Sequence, residues 1–328
     1  MKTSFTYELD AAAQEKFAAV AAAGNFRERK VPYSRLAVEG DGFNATLYEK
    51  EKRGRRKLCV QGAKAEDFVR FTLEGQVLEE ATLDYKEILH PELSSPHAGS
   101  DESGKGDYFG PLVVTCVYAD ETLAPKLREA GAKDCKLLSA ATTLKTGEAL
   151  RGILGAENFE TVVVSPQAYN RMYAKTRNQN KMLARVHAMA LERLLAKRPD
   201  CPRAVIDQFA ATERTILAAL YPKAAKIEIV QRHKAEDDVA VAAASVVARE
   251  TFIREVERLG RLDGAVYPLG ASNPEIAAVA ARMVRANGPV WLMNRCKANF
   301  KTTDAVLAAC GLDRSALPPE GRVASKNS

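Results

Sequence analysis

Residues 99–114 read Gly-Ser-Asp-Glu-Ser-Gly-Lys-Gly-Asp-Tyr-Phe-Gly-Pro-Leu-Val-Val. Two adjacent carboxylates, Asp101 and Glu102, stand before a Gly104-Lys105-Gly106 turn, and an apolar β-branched run follows. Carboxylates are the ligands that hard divalent ions take. Glycines let a backbone approach a phosphate closely, and a lysine between them neutralises it. A metal site and a phosphate site therefore lie side by side, a pairing that points to phosphodiester chemistry. An Asp-Glu pair alone, or Gly-x-Gly alone, is ordinarily a solvated turn, so the conjunction carries the inference. The segment is no P-loop, because Gly106 follows Lys105 where that pattern needs a hydroxyl, and no third glycine at the required spacing makes it a dinucleotide fingerprint.

Outward from this stretch, the charge is unevenly placed. The net charge of +6 is modest, yet residues 171–203 hold nine Lys and Arg against two Asp and Glu, and residues 282–301 hold five against none. Such runs are commonly solvated faces. Beside a carboxylate cluster they suit a polyanion held against a metal site. With 46% hydrophobic and 27% charged residues the composition is that of a soluble globular protein. The six cysteines form no C-x-x-C pair and no zinc spacing, which fits a reducing compartment. The N-terminus lacks the apolar stretch of a signal peptide, and no 18-residue apolar run is present. The expectation is a cytoplasmic protein without a membrane span.

The first 88 residues read as a small α+β domain. Strands are expected at 4–9, 33–39, 43–48 and 57–61, with a helix at 11–23 and another opening at 65–73. Gly40-Asp41-Gly42 is a strong hairpin signal. Lys52, Arg53, Arg55, Arg56 and Lys57 gather near a second hairpin tip. Residues 89–99, with two prolines, two serines and a glycine, read as a linker. Strand-like runs at 112–118, 161–164, 203–206 and 226–230 then alternate with helical patterns at 183–195, 213–220 and 239–259. That alternation implies an α/β domain with a mixed sheet over residues 100–312. Residues 313–328, with Pro318-Pro319, read as a disordered tail.

Two further acidic positions bear on chemistry. Asp207 closes the apolar strand Ala204-Val205-Ile206, where a carboxylate either faces the functional edge of a sheet or caps the next helix. Glu236, Asp237 and Asp238 precede an Ala/Val-rich helix whose small residues imply burial on all sides. Acids at a helix start suit the macrodipole, so capping is the default for at least two of the three.

The block at 99–111 resembles the signature of ribonuclease HIII, a bacterial family of the type 2 branch of ribonuclease H. Three later blocks agree in order and spacing: 181–187 with its helix, Val205-Ile206-Asp207-Gln208-Phe209, and Lys234-Ala235-Glu236 before Ala243-Ala244-Ser245-Val246-Val247-Ala248-Arg249. The N-terminal segment resembles that family's TATA-box-binding-protein-like, substrate-binding domain, so the likeness spans about residues 1–305. It implies a ribonuclease H-like mixed sheet with flanking helices. It also implies hydrolysis of the RNA strand of RNA–DNA hybrids using Mg²⁺ or Mn²⁺; a monomer is the default expectation, since a nuclease that encloses one duplex needs no partner. Asp101, Glu102, Asp207 and Glu236 would be the catalytic metal ligands. Two ions would flank the scissile phosphate, one activating water and one stabilising the leaving 3′ oxygen, to give 5′-phosphate and 3′-hydroxyl ends. Gly104, Lys105 and Gly106 would contact the ribonucleotide beside the cut.

Glutamate at 236 and the extra N-terminal domain favour ribonuclease HIII over ribonuclease HII, whose corresponding block carries aspartate and which would incise at single ribonucleotides in DNA. Asp237 and Asp238 remain alternatives for the fourth ligand. Two blocks depart from the family pattern: Lys133-Asp134-Cys135-Lys136 carries cysteine for serine, and Lys297-Ala298-Asn299-Phe300-Lys301-Thr302-Thr303 only resembles its C-terminal block. A non-catalytic hybrid-binding protein is the reading from another class, and the four carboxylates weigh against it.

Overall fold

The computed structural model describes residues 4–24, 26–78, 95–132, 138–207, 214–232, 235–270 and 273–324, with only the backbone for Arg70, Phe71, Gly75, Arg232 and Glu236. The chain divides into two compact units, Met1–Leu93 and Ser94–Ser328.

In the first unit, β1 (Ser4–Leu9), β2 (Arg27–Glu28), β3 (Ser34–Gly40), β4 (Phe43–Lys52) and β5 (Arg55–Gln61) form an antiparallel sheet ordered β1-β5-β4-β3-β2. Alternation along β4 sends Phe43, Ala45 and Leu47 inward. They meet Phe17 of α1 (Ala11–Ala23), Phe68 of α2 (Ala65–Phe68) and Leu73 of the π-helical turn Val69–Leu78 that continues it. Asp10 caps α1, its carboxylate accepting from the Ala13 N–H at 3.0 Å. At the β4–β5 tip, Arg53 and Gly54 both adopt positive φ, 53° and 77°, the conformation of a tight two-residue hairpin turn.

The second unit is built on β6 (His97–Ser103), β7 (Leu112–Ala119), β8 (Phe159–Val164), β9 (Arg203–Asp207) and β10 (Glu228–Arg232), ordered β10-β9-β6-β7-β8. The sheet is mixed: β6 runs parallel to β9 and antiparallel to β7. Around it lie α3 (Leu123–Glu129), α4 (Ala140–Leu154), α5 (Pro166–Thr176), α6 (Gln179–Lys197), α7 (Arg214–Leu217), α8 (Val239–Asp263), α9 (Glu275–Asn287), α10 (Trp291–Arg295) and α11 (Thr302–Ala308).

β7 is buried at every position, so helices cover both of its faces. Leu112, Val114 and Cys116 pack on Met182, Leu183 and Val186 of α6, while Val117 packs on Val239, Ala243 and Val247 of α8. α8 comes close because of Gly99. A Cβ there would stand 2.2 Å from the Val241 nitrogen, which no packing tolerates.

Two boundaries differ from the sequence expectation. Residues 97–99, assigned above to the linker, open the central strand β6. Residues 313–324, assigned to a disordered tail, form short turns at Arg314–Ala316 and Pro319–Gly321. They are fixed because the Arg314 guanidinium donates to the carbonyls of Ala298, Phe300 and Gly321, and because Leu317 is buried. Among the described residues no helix is long and apolar enough to cross a membrane.

Candidate active site

β6 and β9 pair Ala98 with Ala204, Gly99 with Val205 and Ser100 with Ile206. One step further along both strands stand Asp101 and Asp207, at the carboxyl end of the pair, the edge where α/β sheets present their sites. The Asp101 carboxylate accepts the Glu102 N–H at 2.7 Å, and the Ser245 hydroxyl of α8 also bonds it. Burial first, then the negative charge of Glu102 and Asp207, push the Asp101 carboxyl up to about 7.

Alternation turns Glu102 to the opposite face of the strand. There His187 of α6 meets its Oε2 at 3.1 Å, and the Lys105 ammonium stands 3.4 Å from its Oε1. Burial opposes ionisation of Glu102, but these two partners prevail and hold its carboxyl below the usual range. The other His187 nitrogen lies 2.8 Å from Ser100 Oγ, which donates to the Thr115 carbonyl. Adjacent carboxylates are thus prepared differently, Asp101 poised near neutrality and Glu102 ionised.

Asp207 accepts the Ala235 N–H at 3.2 Å, which ties the turn Ala235–Asp237 to the end of β9. Glu236 follows directly in the chain; its side chain lies outside the described residues. Asp238 is fully buried and committed elsewhere: its carboxylate caps α8 through Ala240 and Val241 and bonds His97 at 2.9 Å. Asp237 is exposed within the turn. Among the described residues no group of three or more His, Cys, Asp or Glu side chains is arranged to hold a metal ion. The blocks at 133–136, 208–209 and 233–234 also lie outside the described residues.

The glycine loop leaves the same strand end. Gly104 has φ of +87°, and a Cβ there would stand 2.3 Å from the Pro111 oxygen, so glycine is required by the chain itself. Gly106 is the contrary case: it is exposed, and a Cβ would meet nothing within 4 Å.

Four side chains hold this loop. Gln179 donates to the Lys105 carbonyl at 3.1 Å. Asp107 accepts the Gly270 N–H at 2.6 Å and pairs with Arg249 at 3.3 Å. Lys297, fully buried, donates to the carbonyls of Asp107 and Gly110, each at 2.9 Å. Burial pushes its ammonium down to about 7 against the opposing pull of Asp107. Asn170 braces the Lys297 segment by donating to the Met293 and Cys296 carbonyls and accepting from Ala298 N–H.

The structure therefore brings Asp101, Glu102, Asp207 and the backbone of Glu236 to one edge, with Gly104, Lys105 and Gly106 beside it. Sequence reasoning assigned no role to Gln179 and left His187 as a structural or substrate-facing residue. It also treated Lys297 only as part of a departing block. A buried histidine or lysine carries no local mark in a sequence; only its contacts reveal the task.

Comparison with known proteins places the chain in a family. Residues 98–303 match the family model described as Ribonuclease HII. Ribonuclease HIII of Protochlamydia amoebophila is 36% identical over 282 residues, spanning 85% of this chain and 88% of its own. Ribonuclease HIII of Chlamydia felis is 36% identical over 276 residues, 84% of this chain and 87% of its own. Among solved structures, Bst-RNase HIII in complex with Mn²⁺ superposes with a TM-score of 0.65 at 28% identity, covering 94% of this chain and 99% of that one. Ribonuclease H2 from Pyrococcus horikoshii OT3 has a TM-score of 0.54 at 25% identity and covers 64% of this chain and 96% of its own. Long relatives that span both units, together with the carboxylate edge, settle the assignment: the chain belongs to the ribonuclease HIII family.

Proposed function

We propose that this chain, by its family an endonuclease of the RNA strand in RNA–DNA hybrids, performs that hydrolysis at the carboxyl edge of β6 and β9. Asp101, Glu102, Asp207 and Glu236 are its catalytic residues. The adjacency of Asp101 and Asp207 carries this reading, because their crowded negative charge calls for a cation. An all-oxygen donor set fits Mg²⁺ or Mn²⁺, and a solved relative, Bst-RNase HIII, is described in complex with Mn²⁺. Such an ion, held by the four carboxylates, would activate water and stabilise the charge developing on the leaving 3′ oxygen.

The chain's own groups do the rest. His187 fixes the Glu102 rotamer by bonding it from within the core. Lys105, resting on Glu102, is placed to exchange that partner for a backbone phosphate. Gly104 and Gly106 let the backbone approach a ribose closely enough to read its 2′-hydroxyl, the group that separates RNA from DNA. Gln179, Asp107 and Lys297 keep that loop in register with the carboxylates. Products carry 5′-phosphate and 3′-hydroxyl ends.

Residues 1–88 form the substrate-binding domain in this reading. Lys52, Arg53, Arg55 and Lys57, exposed at the β4–β5 tip, supply charge for gripping a duplex backbone. The protein works as a cytoplasmic monomer; Cys59, Cys116, Cys201, Cys296 and Cys310 are all unbridged, as a reducing compartment requires. Cleavage of a labelled hybrid by the wild type and by Asp101→Asn and Asp207→Asn, with binding followed in parallel, tests the reading. Wild-type cleavage by either variant would show that the site is wrongly placed.

A further inference from the structure

We infer that the groove between α5, α6 and α7 binds phosphodiester groups of the hybrid's backbone, next to the Gly104-Lys105-Gly106 loop. The inference rests on the proposed function and adds to it a part of the substrate site whose described lining contains no carboxylate. The groove encloses about 600 Å³ and is lined by Lys175, Lys181, Arg185 and Arg214 together with Thr176 and Thr215. All four cations are exposed, and none pairs with a carboxylate among the described residues. Elsewhere on this unit Lys197, Arg198 and Lys223 do pair, with Glu160, Asp200 and Glu192.

Stability offers no reason for this arrangement. Lys181 and Arg185 stand one turn apart on α6, where like charges repel by a few tenths of a kcal/mol, roughly 0.2–0.5. Lys181 also lies in the first turn, at the positive end of the helix macrodipole, where a cation is again unfavourable. A local choice that works against its own helix marks a functional position, and a polyanion relieves both conflicts.

The groove is also in the right place. Gln179, the first residue of α6, bonds the Lys105 carbonyl, and Lys181 follows two residues later. His187, further along the same helix, bonds Glu102. A helix is about 10–12 Å across with its side chains, so the groove lies about one helix diameter from Glu102. That is about three base-pair steps at roughly 3.4 Å each. A duplex with its scissile phosphate at the carboxylates would lay neighbouring phosphates along Lys181 and Arg185.

The test is equilibrium binding of a fluorescent RNA–DNA hybrid by the full chain in EDTA over a series of KCl concentrations. The double variant Lys181→Gln/Arg185→Gln is compared with the wild type and with a charge-matched control on α8, Arg258→Gln/Arg261→Gln. The double variant is expected to bind more weakly, with a log K against log salt slope shallower by about 1–2, at about 0.7–0.9 per lost phosphate contact. The control is expected to keep the wild-type slope. An unchanged slope in the double variant, or an equal change in the control, overturns the inference while the wild type still binds and cuts. A wild type that neither binds nor cuts the hybrid overturns the proposed function, and this inference with it.

Discussion

Asp101 and Asp207 stand at the same level on adjacent parallel strands, one residue beyond the Ser100–Ile206 pair. Two carboxylates in that relation, with Glu102 next in the chain, leave the edge short of positive charge. Burial and these neighbours push Asp101 up to about 7, above its unfolded value. A carboxyl raised in this way stabilises the fold at low pH, and that contribution is lost as pH rises through about 7. The melting temperature of metal-free wild type is expected to fall between about pH 6 and pH 8, and that of Asp101→Asn to fall less. Mg²⁺ added at the higher pH should restore the wild type and leave the variant unmoved; thermal scans at both pH values decide this.

The two glycines of the loop should behave oppositely. Gly104→Ala forces a Cβ against the Pro111 oxygen at positive φ and should destabilise the protein by about 1–3 kcal/mol. Gly106→Ala meets no protein atom, so denaturant unfolding should be unchanged within about 0.5 kcal/mol. If a ribose approaches that backbone, kcat/KM on the hybrid should nevertheless fall at least about tenfold, or about 1.4 kcal/mol. Full activity in Gly106→Ala would remove the loop from substrate recognition.

Lys297→Met keeps the length of the side chain and removes its donors. The carbonyls of Asp107 and Gly110 would lose their partner inside the core, at about 1–3 kcal/mol of stability. Because those carbonyls flank the loop's far end, hybrid KM should rise while metal dependence stays as it was. Steady-state kinetics at several Mn²⁺ concentrations separates the two.

Away from the site, Asp263 gathers Arg295, Tyr267 and Trp291. Burial alone would raise its carboxyl, yet these donors hold it below the usual range. A depressed carboxyl stabilises above its unfolded pKa and loses that contribution as pH falls through the folded value. Asp263→Asn should therefore cost stability at neutral pH, and the gap from wild type should close in strong acid. Urea unfolding at the two pH values measures it; a gap that persists in acid would contradict the charge argument.

Four of the five strands of the N-terminal sheet were legible in the sequence, all but β2, because alternating apolar residues in β4 and β5 and the Gly40-Asp41-Gly42 turn point the same way. The central strand of the second sheet was not. His-Ala-Gly-Ser-Asp-Glu-Ser contains no β-branched or aromatic residue, and it is extended because β7 and β9 supply both of its ladders. Asp101, Glu102 and Asp207 stood out as carboxylates beside strand and glycine signals. Of the three acids at 236–238, the fold accounts for Asp238, which is spent on His97 and the α8 cap. Lys297 was illegible for the same reason: nothing local separates a lysine that grips two carbonyls from one in solvent.

The most direct test of the central claim is cleavage of an end-labelled RNA–DNA hybrid by wild type and Asp101→Asn, with Mg²⁺ and separately with Mn²⁺. A DNA duplex carrying one ribonucleotide serves as the second substrate. Repeated metal-dependent cuts in the RNA strand of the hybrid are expected, with little incision of the second duplex. In Asp101→Asn the rate should fall about 10²–10³-fold, several kcal/mol, with hybrid binding retained. Asp101→Asn cutting at the wild-type rate, or a wild type that cuts no hybrid with either ion, would contradict the claim.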